Sequence, residues 1–178
     1  KLLKRLKLTD YILVSIPPKG NEDPVLKRFK KSLKDTNFKK LIYLSATSVY
    51  GDHNGQWVHE NSRLKGKTLF GTRRIAAEKA WLSFKKQSGF DINILRVAGI
   101  YSKESNVLKK ILNKNIYVKE KKFFSRIRIE DLAIIIKKTF FSSKSSMILN
   151  VSDDQPSTNV EVAKYAANLL KLKSLYAV

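Results

Sequence analysis

The chain has 178 residues, of which 43% are hydrophobic, and it contains no cysteine. This length supports one domain with a sizeable core. The lack of cysteine excludes disulfides, thiolate metal sites and cysteine nucleophiles, and two histidines alone do not make a metal cluster. The 36 basic and 15 acidic residues give a formal charge of +21, which raises nucleic acid or anionic membranes as partners.

The positive charge is spread along the chain rather than gathered in a recognisable binding motif. Lysines outnumber arginines, and no helix-turn-helix, zinc finger or aromatic RNA-binding signature is present. We therefore predict a solvated basic surface and do not expect a nucleic-acid partner, although residues 109–122 form the densest basic cluster. No apolar run reaches about eighteen residues, and residues 1–9 do not resemble a signal peptide. We expect a cytoplasmic protein without a membrane partner.

Apolar strands alternate with amphipathic helices along the chain, which indicates crossover units around a parallel sheet. We predict strands over residues 11–16, 41–45, 92–97 and 147–151, and an extended segment over 123–129. Helices are predicted over residues 24–33, 73–86, 107–112, 130–141 and 158–170. The helix over 73–86 should bury one stripe, made of Ala76, Ala77, Ala80, Trp81 and Phe84. The expected fold class is α/β, a partial doubly wound, Rossmann-like parallel sheet with helices on both faces.

The glycines indicate that part of the usual dinucleotide-binding fold is missing. A complete fold of this kind begins with a strand, a glycine-rich turn and a helix whose N-terminus binds pyrophosphate. The seven glycines are scattered, and none follows a strand with the required spacing. The chain also has no initiator methionine. We therefore expect a fragment, a single partial domain over residues 1–178, whose strand 11–16 lies at an open sheet edge.

Residues 41–51, Leu-Ile-Tyr-Leu-Ser-Ala-Thr-Ser-Val-Tyr-Gly, are the most informative segment. An apolar strand runs directly into small hydroxyl residues, and open α/β sheets place their chemistry at such strand ends. Downstream, the sequence Phe-Gly-Thr-Arg-Arg at 70–74 opens a helix, 93–101 is a second buried strand, and 125–132 precedes another helix. In this order the segments resemble the second half of an extended short-chain dehydrogenase/reductase of the NAD-dependent epimerase/dehydratase family.

This resemblance implies an NAD(P)-dependent epimerase, dehydratase or oxidoreductase that acts on a nucleotide-sugar or a similar small substrate. NAD or NADP is the implied cofactor, with its main pyrophosphate site upstream, so the chain alone should bind it weakly or not at all. Parts of a small substrate lobe are expected around residues 102–129 and 152–178. Two alternatives stay open: a catalytically silent dinucleotide-binding relative, and a basic nucleic-acid-binding α/β protein. The oligomeric state is also open.

The resemblance places an atypical set of residues at the family's catalytic positions. The usual Ser or Thr, three residues before Val-Tyr-Gly, is Ala46 here. Thr47 and Ser48 are then the catalytic candidates, unless they only satisfy backbone groups in the turn. Phe70 and Arg74 match the family's Tyr-x-x-x-Lys pair. Phenylalanine has no proton to donate and arginine stays charged, so proton relay through this pair is excluded, although Arg74 can still hold a ribose or phosphate.

The resemblance also implies binding residues at the ends of several strands. The implied cofactor contacts are Ser15, Ile16, Pro17, Ser45, Ala46, Phe70, Arg74, Val97, Ala98, Gly99 and Ile100. The implied substrate contacts are Tyr101, Arg126 and Arg128; the family often places an arginine near Arg126 that binds a substrate diphosphate. Alternation puts Arg126 and Arg128 on one face, with Ile127 and Ile129 toward the core.

Six of these positions, far apart in sequence, should converge on one crevice at the carboxyl ends of the strands, namely Ser15, Ser45, Thr47, Phe70, Arg74 and Gly99. Arg96 lies in the third predicted strand, and the alternative to a binding role for it is a structural ion pair.

Overall fold

The computed structural model describes residues 2–20, 22–113 and 122–172. It divides into two compact units, one made of Lys1–Val97 with Ile134–Val151, the other of Ala98–Ala133 with Ser152–Val178. Parts of the predicted basic cluster 109–122 and of the predicted lobe segments 102–129 and 152–178 lie outside the described residues. In chain order the elements are α1 (Leu2–Lys7), β1 (Tyr11–Val14), α2 (Pro24–Lys34), β2 (Lys40–Ala46), α3 (Leu69–Ser88), β3 (Ile92–Val97), β4 (Gly99–Tyr101), α4 (Val107–Leu112), β5 (Phe123–Phe124), β6 (Arg126–Arg128), α5 (Ile129–Phe141), β7 (Ile148–Val151), β8 (Ser157–Thr158) and α6 (Asn159–Leu169).

The first unit is built on a four-stranded parallel sheet in the order β1-β2-β3-β7. Tyr43 pairs with Val14 on one side and with Ile94 on the other, and Ile94 also pairs with Ile148, so β2 and β3 are central strands. Their residues are buried almost throughout, as expected for parallel strands covered on both faces. The predicted fold class and the parallel adjacency of the first three strands are confirmed. Within the described residues β1 pairs only with β2, so the predicted edge position is also confirmed.

Helices cover both faces of this sheet. On one face Leu41 and Tyr43 of β2 join a core with Leu33 of α2 and with Trp81 and Phe84 of α3. Successive strand residues point to opposite faces, so Lys40 and its register partner Tyr11 lie on the other face. There Tyr11 contacts Phe140 of α5, with ring centroids 5.3 Å apart. The predicted two-sided covering of the sheet is therefore confirmed.

Helix α3 begins four residues earlier than predicted, because Thr68 caps it. The Thr68 side chain accepts a hydrogen bond from Gly71 N at 3.1 Å, and Gly89, with φ of 72°, ends the helix. The predicted buried stripe is wrong at Ala76 and Ala80, which are exposed. Glu78 is buried in their place, because it has ionic and hydrogen-bonding partners within the sheet.

The second unit contains two small two-stranded sheets. Strands β4 and β6 run parallel, with Gly99 opposite Arg126, while β5 and β8 are antiparallel. Helix α6 packs on α4 and starts with a capping box between Thr158 and Glu161. Ile127 is buried as predicted, but Ile129 is exposed because it begins α5 instead of continuing the strand. None of the described helices is long and apolar enough to cross a membrane.

Candidate functional site

The end of β2 leads into a tight turn that carries the two candidate hydroxyls. Residues Thr47–Val49 form a 3₁₀ turn, closed by a hydrogen bond of 3.0 Å from Tyr50 N to Thr47 O. Ala46, Thr47 and Ser48 are half-buried. The turn therefore leaves both hydroxyl side chains partly accessible at the carboxyl end of the sheet.

Two glycines allow the start of α3 and the end of the 51–66 loop to lie directly against this turn. A Cβ atom on Gly66 would lie 2.6 Å from Ser48 O, and one on Gly71 would lie 2.7 Å from the same oxygen. The backbone of α3 thus touches the turn at Gly71, which is the residue after Phe70. The Phe70 ring itself is 75% exposed, and it brings no ionisable group to this edge.

Arg74 reaches the same end of β2 from the next turn of α3. Its Nη1 atom donates to Leu44 O at 2.5 Å and to the Tyr43 hydroxyl at 3.4 Å. Among the described residues, its Nε and Nη2 atoms have no hydrogen-bond acceptor in the protein. Arg74 is therefore anchored beside the Thr47–Val49 turn while two nitrogens can still donate to a ligand.

Tyr43 is the phenol that contacts Arg74, but it is unsuited to proton transfer with a substrate. It is fully buried, and its ring stacks on Trp81 with centroids 5.7 Å apart. Burial raises the pKa of Tyr43 to about 12, although the nearby Arg74 charge opposes this shift. Tyr43 therefore does not replace the tyrosine that is missing at Phe70.

The Ser45 hydroxyl is hydrogen-bonded to a buried acid, Glu78, which is not among the predicted site residues. Its Oγ donates to Glu78 Oε1 at 2.5 Å, so this hydroxyl can only accept a hydrogen bond from any further partner. Glu78 in turn pairs with Arg96, with Nη2 and Oε2 2.8 Å apart and both side chains at most 4% exposed. Arg96 thus forms the structural ion pair that was the alternative to a binding role. An acid inside an apolar helix stripe was the signal that could have identified Glu78.

The first unit brings the ends of three strands to one edge. Val14 pairs with Tyr43 and Ala46 pairs with Val97, so Ser15, Ile16 and Pro17 leave β1 at the edge where the Thr47–Val49 turn lies. Ser15, Ile16 and Pro17 are all exposed. The predicted contacts at 15–17, 45–48, 70, 74 and 97 therefore lie on the elements that meet at this edge.

The remaining predicted contacts lie in the second unit, and their convergence with the first stays a prediction. Ala98 is buried, whereas Gly99, Ile100 and Tyr101 are exposed along β4. Arg126 already binds its own unit: Nη1 donates to Phe124 O at 2.9 Å and to Ser157 O at 3.1 Å, and Nη2 donates to Asn159 Oδ1 at 2.9 Å. Arg128 is exposed and pairs with Glu130 at 2.7 Å.

Sequence comparison identifies the family of the chain. The model of the NAD dependent epimerase/dehydratase family matches residues 26–128, which is more than half of the chain. The chain belongs to this family. An uncharacterized UDP-glucose epimerase, YtcB of Bacillus subtilis (strain 168), is 29% identical over 76 residues, which cover 43% of this chain and 24% of that protein.

Solved structures of other proteins share the fold. A functionally unknown conserved protein from Silicibacter pomeroyi DSS is 32% identical with a TM-score of 0.87, and the match covers 94% of this chain and 60% of that one. UDP-glucuronic acid 4-epimerase from Bacillus cereus in complex with NAD is 18% identical with a TM-score of 0.84, covering 100% of this chain and 64% of that one. The chain thus spans less than two thirds of either solved relative.

Proposed function

We propose that the protein is an NAD(P)-dependent, epimerase/dehydratase-like enzyme for a nucleotide-sugar or similar small substrate, with an altered proton-transfer apparatus. The observation that carries this proposal is the anchoring of Arg74 on Leu44 O, at the end of the central strand β2. Parallel α/β sheets bind their ligands at this edge. Family membership and the UDP-sugar names of several relatives support the choice of substrate class.

The residues at this edge fit the nicotinamide half of a dinucleotide. Arg74 supplies two donors, Nε and Nη2, suited to ribose or phosphate oxygens. Ser15, Ile16, Pro17 and Ala46 supply the exposed or half-buried surface at the adjoining strand ends. The bound nicotinamide would supply hydride transfer. In the second unit we propose backbone contacts from Ala98, Gly99 and Ile100 to the same cofactor, continuing those of Val97 in the first.

Thr47 and Ser48 are the residues of the chain that we propose to act on the substrate. Phe70 lacks an ionisable group, and Tyr43 is buried with a raised pKa. A hydroxyl in the Thr47–Val49 turn can donate a hydrogen bond to the reacting oxygen of the substrate and stabilise charge that develops there. We therefore propose that Thr47 or Ser48 orients the substrate, while proton exchange does not pass through the Phe70 and Arg74 pair.

The substrate side of the proposal rests on Tyr101, Arg126 and Arg128. Arg126 uses three of its five N–H groups on protein acceptors, which leaves Nε–H and one Nη2–H for a diphosphate. Arg128 is exposed, and its single carboxylate partner is also exposed, so a diphosphate can compete for it. We therefore propose Arg128 as the main phosphate contact, with Arg126 holding strand β6 in place.

Turnover tests the proposed function directly. The full-length protein is assayed with NAD and UDP-glucose. We expect slow conversion, and a fall in kcat of about 100-fold in either Thr47→Val or Ser48→Ala, because one of the two hydroxyls stabilises the developing charge. Retained turnover in both variants would contradict the hydroxyl role. Dinucleotide binding without turnover in the wild type would establish the silent-relative alternative instead.

Cofactor affinity tests the role of Arg74. By calorimetry with NAD on the full-length protein, Arg74→Ala should weaken binding roughly tenfold, because one charge-assisted hydrogen bond to the ligand is lost. Arg74→Lys should retain most of the affinity, and Lys79→Ala, an exposed cation on the same helix, should change nothing. Equal affinity in wild type and Arg74→Ala would remove Arg74 from the site. Salt-dependent binding of generic DNA, with no effect of NAD, would favour the nucleic-acid alternative.

A further inference from the structure

Arg96 joins four structural elements around one buried guanidinium. Its Nε and Nη2 atoms face the Glu78 carboxylate, and Nη1 donates to the Tyr50 hydroxyl at 2.9 Å and to Glu60 O at 2.7 Å. These acceptors belong to α3, to the residue after the Thr47–Val49 turn, and to the 51–66 loop, whereas Arg96 itself is on β3. Only a planar fork of donors reaches all three at once, so lysine cannot reproduce the arrangement.

Tyr50 is held on both sides by this network. Its hydroxyl accepts from Arg96 and donates to Asn150 Oδ1 at 2.5 Å, and the Arg96 guanidinium carbon lies 5.1 Å from the centre of its ring. Because a phenol has only one proton, the direction of each hydrogen bond is fixed. The orientation of Tyr50 is thus determined by a charged residue on one side and by strand β7 on the other.

The same network fastens the 51–66 loop to the sheet. Asn150 N donates to Glu60 Oε1 at 2.8 Å, and this hydrogen bond lowers the pKa of Glu60. Lys65 N donates to Tyr50 O at 3.0 Å, so the end of the loop returns to the residue held by Arg96. Tyr50 N also closes the Thr47–Val49 turn. Arg96 therefore restrains the Thr47–Val49 turn indirectly, through Tyr50.

We infer that Arg96 is a positioning residue, which through Tyr50 and Glu60 aims the Thr47 and Ser48 hydroxyls at the substrate. This inference rests on the proposed function. Stability alone is a poor reason for burying such a pair, because apolar residues of similar volume often stabilise a fold equally well. The hydrogen bonds to Tyr50 and Glu60, which apolar residues cannot make, supply a geometric reason for it.

Two variants separate positioning from stability. Arg96→Lys keeps the charge next to Glu78 but loses the fork to Tyr50 and Glu60. The double variant Glu78→Leu with Arg96→Met removes both buried charges together, so its thermal midpoint should fall less than that of Arg96→Met alone, which leaves the Glu78 carboxylate unpaired. Lys40→Met is the control, since it removes a buried cation at the amino end of β2, away from the Thr47–Val49 turn.

Amide hydrogen exchange and kinetics on the full-length protein provide the readouts. In Arg96→Lys and in the double variant, the Asn150 and Lys65 amides should exchange at least about tenfold faster, because loss of a charge-assisted hydrogen bond favours local opening. Turnover of UDP-glucose should lose kcat about tenfold with little change in KM. Below its own unfolding temperature, Lys40→Met should change neither the exchange rates of these two amides nor kcat.

Unchanged exchange of these two amides in the double variant would overturn the inference. Lys40→Met exchanging them as fast as Arg96→Lys would overturn it too, since global destabilisation alone would then explain the effect. A wild type without turnover would contradict the proposed function, and in that case the exchange comparison still decides whether Arg96 restrains the turn and the loop.

Discussion

Replacing Lys40 by methionine should lower the free energy of unfolding by about 3 kcal/mol, because it leaves buried acceptors without a donor. The Lys40 side chain is 6% exposed at the amino end of β2, and its Nζ lies 3.3 Å from Asp91 Oδ2. It also donates to three backbone oxygens at the end of α5 and just beyond it, Thr139 O at 3.3 Å, Ser142 O at 2.7 Å and Lys144 O at 3.0 Å. A cation at a helix C-terminus is favoured by the helix dipole as well.

The neighbouring lysine provides a matched control for this measurement. Lys39 Nζ lies 3.3 Å from Asp10 Oδ2, which is the distance found for Lys40 and Asp91, but these side chains are 65% and 58% exposed. Exposed pairs contribute little, so Lys39→Met should change stability by less than about 0.5 kcal/mol. Urea denaturation of the two variants gives both values. Similar losses in Lys39→Met and Lys40→Met would show that burial does not determine the contribution of Lys40.

The sequence predicted the sheet because each strand is a short segment made mainly of apolar residues. The strand over 92–97 is found with the predicted bounds, the one over 41–45 is longer by one residue at each end, and the one over 147–151 begins one residue later. Such segments are typical of parallel strands buried on both faces, and they can be recognised from the local sequence alone. The first strand ends two residues early, at Val14, because Ser15 already leaves the pairing with β2.

The site was harder to predict, because its contacts join residues that are distant in sequence. Motif positions placed Phe70 and Arg74 near the Thr47–Val49 turn, but no local pattern showed that Arg74 would donate to Leu44 O. The three partners of Arg96 lie 18, 36 and 46 residues away. Charged residues in a strand or helix can face either solvent or a buried partner, and only the tertiary fold decides between these.

The close approach of Gly66 to Ser48 predicts a second large effect. Gly66 has no positive φ, so an alanine there meets no backbone restriction, only the lack of space. Its Cβ would lie 2.6 Å from Ser48 O, 3.0 Å from Val49 O and 3.1 Å from Gly71 Cα, all of them backbone atoms. A side chain cannot swing aside to relieve these contacts. We expect Gly66→Ala to cost about 3 kcal/mol of folding stability through overpacking.

Gly99 is the control, because its φ is also outside the positive range but a Cβ there would lie 3.6 Å from the nearest atom, Ser125 O. Gly99→Ala should therefore leave the urea midpoint close to that of the wild type. In Gly66→Ala the loss of stability should first appear locally, as faster exchange of the amide at position 66. In the wild type the Gly66 N atom donates to Val49 O at 3.0 Å. If Gly66→Ala were as stable as Gly99→Ala, the 51–66 loop would not lie against the Thr47–Val49 turn, and the proposed arrangement of the catalytic hydroxyls would be wrong.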